Sequence, residues 1–355
     1  MKINLSLYYF FFFASVGVYV IFFPNYLKNL NYSPTEIGIV FSSLPISRFL
    51  TPFFFQKRAI TTDIFKISIL FSVIVPLFLF IDNFYIYIVI FIILGVVYSI
   101  NFPYIEAIAI NRLEGHYGKT RLWGSIGFVA VALGLSYLSF NLLVLYSILN
   151  FLTALFALKF INPEFEITKH FEKIDFFKEW QFWIALILIQ ISFGGFYNFF
   201  TIYNLNAGIS KEVNGWLWSI GVFAEIIIFI YQYRFLNKNN SLFYIKLSLL
   251  ITSIRWLGLY FFKGNIFIIA LLQTMHLFSF AIFHTAALMF VSDRYKNQTL
   301  AQQFYAGVGY GIAAFLGSII SGYLYGENLF LYESLIVFVG FMILLNRKNN
   351  LRRER

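Results

Sequence analysis

The stretch Leu5–Leu27, LSLYYFFFFASVGVYVIFFPNYL, runs for 23 residues without a charge. At 1.5 Å per residue a helix of this length measures about 34 Å, enough to cross roughly 30 Å of hydrocarbon. It is far too long for a membrane-barrel strand and lacks the alternation of one. In lipid every peptide group must be satisfied within its own segment, so the helix is the expected element. The run is also longer than the apolar core of a secretory signal and has no small-residue cleavage site, so it is expected to stay as a first span.

Similar runs follow along the whole chain. Of its 355 residues 60% are hydrophobic and 12% charged, about half the charged share of a soluble domain. The pattern predicts an all-α membrane protein of about twelve helices, at 5–27, 36–56, 65–82, 85–110, 119–138, 141–160, 181–205, 213–233, 242–262, 264–291, 299–325 and 328–345. Short connections make neighbours antiparallel. Of the 26 Lys and Arg, only Lys28, Lys211 and Lys263 fall in the loops opposite the termini, while Arg48, Arg121 and Arg255 lie in or at the edge of spans. The rest crowd the termini's side, which predicts both termini in the cytoplasm of an inner-membrane protein. The net charge of +10 is accounted for by that bias rather than by nucleic acid. The longest polar stretch, 161–180, reads as a cytoplasmic linker between bundles 1–160 and 181–355, the latter ending in a short basic tail.

A shift of 177 residues brings Phe22, Phe23, Tyr26, Asn29, Ser33, Gly38 and Ser42 onto Phe199, Phe200, Tyr203, Asn206, Ser210, Gly215 and Ser219. Either a shared Phe-rich composition or two parallel six-helix repeats produces such a match; in the second case substrate sites lie between the halves near the midplane. At the same shift Arg48 meets Glu225, which suggests a charge pair across the halves.

Charged side chains at the bilayer centre cost about 2.5–3.5 kcal/mol and so face a cavity or a partner. Arg48, Glu106, Glu225, Arg255, Gln273, His276 and His284 are the candidates, with Arg121 either among them or a snorkelling flank residue. On the tenth helix Gln273 and His284 lie about 20° apart, with His276 about one-sixth of a turn aside, at 100° per residue. They form a polar stripe that serves either neighbouring helices or a proton or substrate site. Glu106 with Arg121, and Glu225 with Arg255, fit both structural pairs and cavity groups; an arginine there suits a carboxylate. Trp123, Trp216 and Trp218 are candidate cavity members. Phosphate-loop, HExxH and GxSxG motifs are absent. There is no cysteine, and the histidines lack the spacing of a metal site, so no cofactor or metal is expected.

Five stretches carry a family resemblance: YSPTEIG (32–38), YGKTRLWGSIGF (117–128), GWLWSIGVFAEIIIF (215–229), IRWLGLYFF (254–262) and LLQTMHLFSFAIFHTAALMF (271–290). They resemble the 3-phenylpropionate permease family of the major facilitator superfamily, related to lactose permease and the nucleoside proton symporters. The resemblance implies two six-helix bundles, alternating access and proton-coupled uptake. It places Glu106 and Arg121 on the substrate-binding pair of lactose permease, Phe128 on its stacking tryptophan, Glu225 on its eighth-helix glutamate, and Arg255 and His276 on its ninth- and tenth-helix arginine and histidine. Gln273 stands for its lysine, Ser279 for its proton-carrying glutamate, and Gly195 and Asn198 lie where it has aspartates. The loop Phe55–Asp63, FQKRAITTD, departs from the usual facilitator pattern.

The expected function is proton-coupled uptake of a small organic solute by a monomer, such as an aromatic carboxylate. Arg121 or Arg255 would hold the acid, with Phe128, Asn198, Glu106 and Gln273 nearby, and Glu225, His276 and His284 would handle protons. The alternative is a sugar or nucleoside symporter on the same scaffold. A signalling scaffold would need a soluble domain, for which the linker and tail leave no room.

Overall fold

The computed structural model describes residues 1–55, 60–113, 117–161, 175–295 and 298–347. The expected basic residues Lys57 and Arg58, most of the linker and the basic tail lie outside these. The described chain forms twelve helical segments: α1 Lys2–Asn29, α2 Pro34–Phe54, α3 Thr62–Phe80, α4 Phe84–Arg112, α5 Tyr117–Tyr137, α6 Leu142–Phe160, α7 Phe177–Asn206, α8 Lys211–Arg234, α9 Lys238–Phe261, α10 Ile266–Arg294, α11 Ala301–Leu324 and α12 Leu329–Leu345. Ten are long and apolar enough to cross a membrane. The exceptions are α12, with 17 residues, and α5, whose first turns carry Lys119 and Arg121. The expected linker ends sooner than the sequence suggested, because Phe177–Glu179 already winds into the start of α7.

Side-chain caps set many of the starts. Ser33, Thr61, Asn83, Asn141, Ser210 and Asn265 each accept a hydrogen bond from a backbone N–H two or three residues on, filling donors a helix leaves open.

The packing repeats between the halves. Helix α1 packs on α5 and α6 as α7 does on α11 and α12, and α2 packs on α4 as α8 does on α10. The two bundles meet through α2 against α11 and α5 against α8, which are equivalent crossings. The repeat of 177 residues acquires a structural meaning here. α1 and α7 end at the matched Asn29 and Asn206. Two residues later Asn31 (φ 66°) and Gly208 (φ 82°) both adopt the left-handed conformation, the turn that reverses the chain. Matched Ser33 and Ser210 then cap α2 and α8.

Matched Gly38 and Gly215 sit at the two crossings. A Cβ on Gly38 would lie 2.4 Å from the Ser318 carbonyl oxygen, and one on Gly215 would lie 2.5 Å from that of Ala132. Lys28 donates to Asn206 at 2.5 Å and Trp216 to Tyr137 at 3.0 Å. Among the described residues these are the hydrogen bonds that join the bundles, and both lie at the face away from the termini. At the termini's face Arg347 grips buried Glu179 with two hydrogen bonds of 3.0 Å, but this ties α12 to α7 within one bundle.

The crossings therefore hold the far face shut. Gly38→Leu or Gly215→Leu should wedge it open at a cost of about 1–3 kcal/mol. Because the chain has no cysteine, Ser42→Cys is a clean reporter. Its maleimide labelling in detergent should be slow in the parent and several-fold faster in either leucine variant; equal rates would refute the assignment.

Candidate substrate and proton site between the bundles

Arg255 of α9 has no exposed surface. Its Nη2 donates to Gln273 Oε1 at 2.7 Å, its Nη1 lies 3.1 Å from His276 Nδ1, and its guanidinium rests 4.5 Å from the Phe196 ring and 4.6 Å from the Trp256 ring. A guanidinium can only donate, so Nδ1 accepts and the imidazole proton sits on Nε2. That nitrogen faces the Glu225 carboxylate of α8 at 3.7 Å. Gly221 of α8 faces His276; a Cβ added there would meet the Cβ of His276 at 3.5 Å, an ordinary contact. The result is one file of polar groups, Gln273–Arg255–His276–Glu225, across three helices.

Below His276, α10 widens into a π-helical turn at Leu277–Ile282. The looser winding brings side chains four apart closer to alignment than an α-helix does. His276, Phe280 and His284 stack in a row, with ring centroids 5.5 and 6.0 Å apart and planes within 11°. His284 Nδ1 in turn meets the phenols of Tyr305 at 3.2 Å and Tyr310 at 2.9 Å, both on α11. Two further π turns occur, Val18–Phe22 in α1 and Val308–Ala313 in α11. They carry Tyr19 and Tyr310, two of the phenols on which the charge of Arg48 acts.

From the N-terminal bundle, Arg121 Nε pairs with Glu106 Oε1 at 3.3 Å, and Tyr117 donates to the other carboxylate oxygen. The Arg121 guanidinium lies over Phe13 at 4.1 Å, with Tyr9 and Phe102 at 5.2 and 5.5 Å. Its charge reaches both Glu225 and His284 across the interface. Arg48 of α2 is exposed and acts on the phenols of Tyr19, Tyr98 and Tyr310. Ionisable groups from both bundles thus converge on one interior region.

A family model described as "MFS_1 like family" matches residues 2–333. The chain belongs to that family. A relative in Escherichia coli (strain K12), described as a probable 3-phenylpropionic acid transporter, is 26% identical over 94% of each chain. An uncharacterized transporter of Bacillus subtilis (strain 168), YwbF, is 25% identical over 90% of this chain and 85% of its own. The crystal structure of the nucleoside transporter NupG superposes with a TM-score of 0.78 at 20% identity, covering 98% of this chain and 99% of that one. An inward-facing bacterial homologue of the lysosomal transporter Spinster gives 0.71 at 10% identity, covering 97% and 95%. The fold is the major facilitator fold, and the protein is a multi-pass membrane transporter of that type.

Within this family member, several sequence expectations need correcting. Arg48 and Glu225 form no ion pair among the described residues; the phenol of Tyr310 lies within electrostatic reach of both, and Glu225 turns to His276 instead. Glu225 and Arg255 are likewise separated, by the imidazole of His276. Arg255 is enclosed by rings and hydrogen bonds, so it acts on its neighbours and not on a solute in this conformation, and Gln273 is occupied with holding it. Asn198 sits buried in the α7–α11 seam, its amide donating to Ser321 at 3.5 Å, and has no contact with the charge cluster among the described residues. Phe128 stands 6.3 Å from Trp218 across the α5–α8 interface. Trp123 and Trp216 are largely exposed, while Trp218 is buried and donates to Thr201.

One residue escaped the sequence reading. Glu333 of α12 has no exposed surface; its Oε1 accepts from the Gly195 N–H at 2.9 Å, and Oε2 has no partner. A Cβ on residue 195 would lie 2.6 Å from that carboxyl, so glycine there makes the room. The signal was available: Glu333 is the one acid within the apolar run 328–345.

Lysine cannot reproduce the two-pronged hold of Arg255. Arg255→Lys keeps the charge but should strand Gln273 or His276, lowering stability by about 1–3 kcal/mol. Thermal unfolding of the purified protein checks this; an unchanged midpoint would mean the file of groups does not depend on the guanidinium fork.

Proposed function

We propose that this transporter takes up a small organic acid of the aromatic carboxylate class together with protons. It does so in the inner membrane, as a monomer with both termini in the cytoplasm, by rocking of halves 1–160 and 181–355 joined through 161–180. The observation that carries this reading is the opposition of two charge systems on separate bundles: Glu225 with His276 on one side, Arg121 with Glu106 on the other, coupled through the field between Arg121 and Glu225. The substrate class is suggested by the Escherichia coli relative, described as a probable 3-phenylpropionic acid transporter.

In this scheme Glu225 is the proton acceptor. When it is ionised, its charge draws on the arginines of the opposite bundle. When it takes a proton, those arginines become free to hold a substrate anion, so proton and acid bind together. His276, with Nε2–H turned to Glu225, links that proton to Arg255, and His284 extends the path to the tyrosines of α11. One proton carried with one monoanion moves no net charge. The half-open Glu106–Arg121 pair favours a second reading, in which it hydrogen-bonds the hydroxyls of a sugar or nucleoside; uptake inhibited by neutral sugars and not by aromatic acids would support it.

In proteoliposomes, labelled 3-phenylpropionate should accumulate when the side of entry is made acidic and should respond little to an imposed membrane potential. Glu225→Gln should abolish that accumulation while leaving exchange of labelled for unlabelled acid. Uptake indifferent to the pH gradient would end the coupling proposal.

A further inference from the structure

Arg121 has its carboxylate, and Arg255 has its amide, imidazole and rings. Arg48 has neither: among the described residues it makes no hydrogen bond or ion pair. Its charge acts on phenols from both bundles, Tyr19 on α1, Tyr98 on α4 and Tyr310 on α11, so we read its exposed side chain as turned toward the other bundle. Its chain neighbour Phe49 packs against Gly307 and Gly311 of α11, which fixes that stretch of α2 at the interface.

The tyrosines around Arg48 are held in place. Tyr98 is tied to Tyr146 at 3.0 Å and Asn150 at 2.8 Å, Tyr310 to His284 at 2.9 Å, and Tyr19 is stacked on Phe41 with ring centroids 4.6 Å apart. A guanidinium at this depth costs about 2.5–3.5 kcal/mol unless something offsets its charge. The nearby phenols carry dipoles but no negative charge, and no carboxylate among the described residues pairs with it. An anionic ligand would supply the counter-charge that no side chain among the described residues provides. The fork of an arginine matches a planar carboxylate with two parallel hydrogen bonds, and the ring of aromatic side chains suits an apolar or aromatic body attached to it. A single uncompensated cation balances a single negative charge.

We infer that Arg48, framed by Tyr19, Tyr98 and Tyr310, is the anchor for the carboxylate of a monoanionic aromatic acid. This rests on the organic-acid reading above and names the residue that carries it, leaving Arg121 engaged with Glu106. Binding there also links the bundles, since Tyr310 belongs to the opposite one.

The test compares binding of 3-phenylpropionate with that of its neutral amide, 3-phenylpropanamide, to the full-length protein in detergent by isothermal titration. The wild type should prefer the acid. Arg48→Gln should weaken the acid about ten- to hundredfold, the range of a hydrogen-bonded charge, while leaving the amide unchanged, so that the preference disappears. Tyr310→Phe, which keeps the charge and the ring, should weaken the acid by a few-fold and provides the test should Arg48→Gln not fold. An acid preference that survives in Arg48→Gln but is lost in Arg121→Gln moves the anchor to Arg121 and overturns this inference alone. A wild type that binds neither compound but takes a neutral sugar or nucleoside overturns the organic-acid reading, and the Arg48 anchor with it.

Discussion

A fully buried guanidinium sets the terms for the C-terminal bundle. Arg255 cannot shed its proton and cannot reach water, so neighbouring elements hold its charge: α10 gives an amide oxygen and an imidazole lone pair, α7 the face of Phe196, α9 itself the face of Trp256. The cost of such a charge is lowered by meeting its donors and covering its faces; here both Nη groups are met while Nε has no partner. The arrangement has a consequence beyond stability. With Nδ1 of His276 turned to a donor, its single proton must point at Glu225, and a second proton would have to be placed against a guanidinium. In the proposed scheme the imidazole therefore passes a proton on, and storage falls to the carboxylate of Glu225.

The N-terminal bundle solves its charge problem differently. Arg121 is paired with Glu106 and bedded on three aromatic rings, which leaves it half-open. Arg48 receives only phenols. The asymmetry between the halves is therefore chemical and not architectural: the packing of helices is repeated, but the carboxylate that could have compensated Arg48 lies at the equivalent position on the other half and is oriented to His276.

Much of this was legible beforehand because the constraints involved are local. Twelve apolar runs of membrane length give twelve helices, since lipid admits little else. The repeat was readable because Asn29, Ser33 and Gly38 each do something a single residue can do: end a helix, cap the next, allow a close crossing. The site was legible in its membership but not in its pairings. Counting 100° per residue along α10 takes no account of the π turn at Leu277–Ile282, where the row of rings is made by Phe280, an apolar residue that carries no signal in sequence. That Arg255 would choose His276 over Glu225 depends on how three helices cross. Glu333 was passed over because an acid one turn inside an apolar run resembles an ordinary flank residue until Gly195 is seen to accommodate it.

The register of the repeat ties the charges to the crossings. Gly38 precedes Arg48 by the same number of residues as Gly215 precedes Glu225, and ten residues of helix is about 15 Å. In lipid, where helices gain nothing from excluding water from one another, such close contacts rest on small residues and dispersion alone, so they can be made and broken at modest cost. When α2 pivots on α11 and α8 on α5, Arg48 and Glu225 are carried at the ends of equal arms from different bundles. In the proposed rocking, opening the far face moves Arg48 relative to Tyr310, a phenol within reach of both charges that travels with Glu225 in the C-terminal half. In the proposed scheme a solute anion on Arg48 and a proton on Glu225 would bear directly on whether the crossings stay closed, which is the physical link that coupling requires.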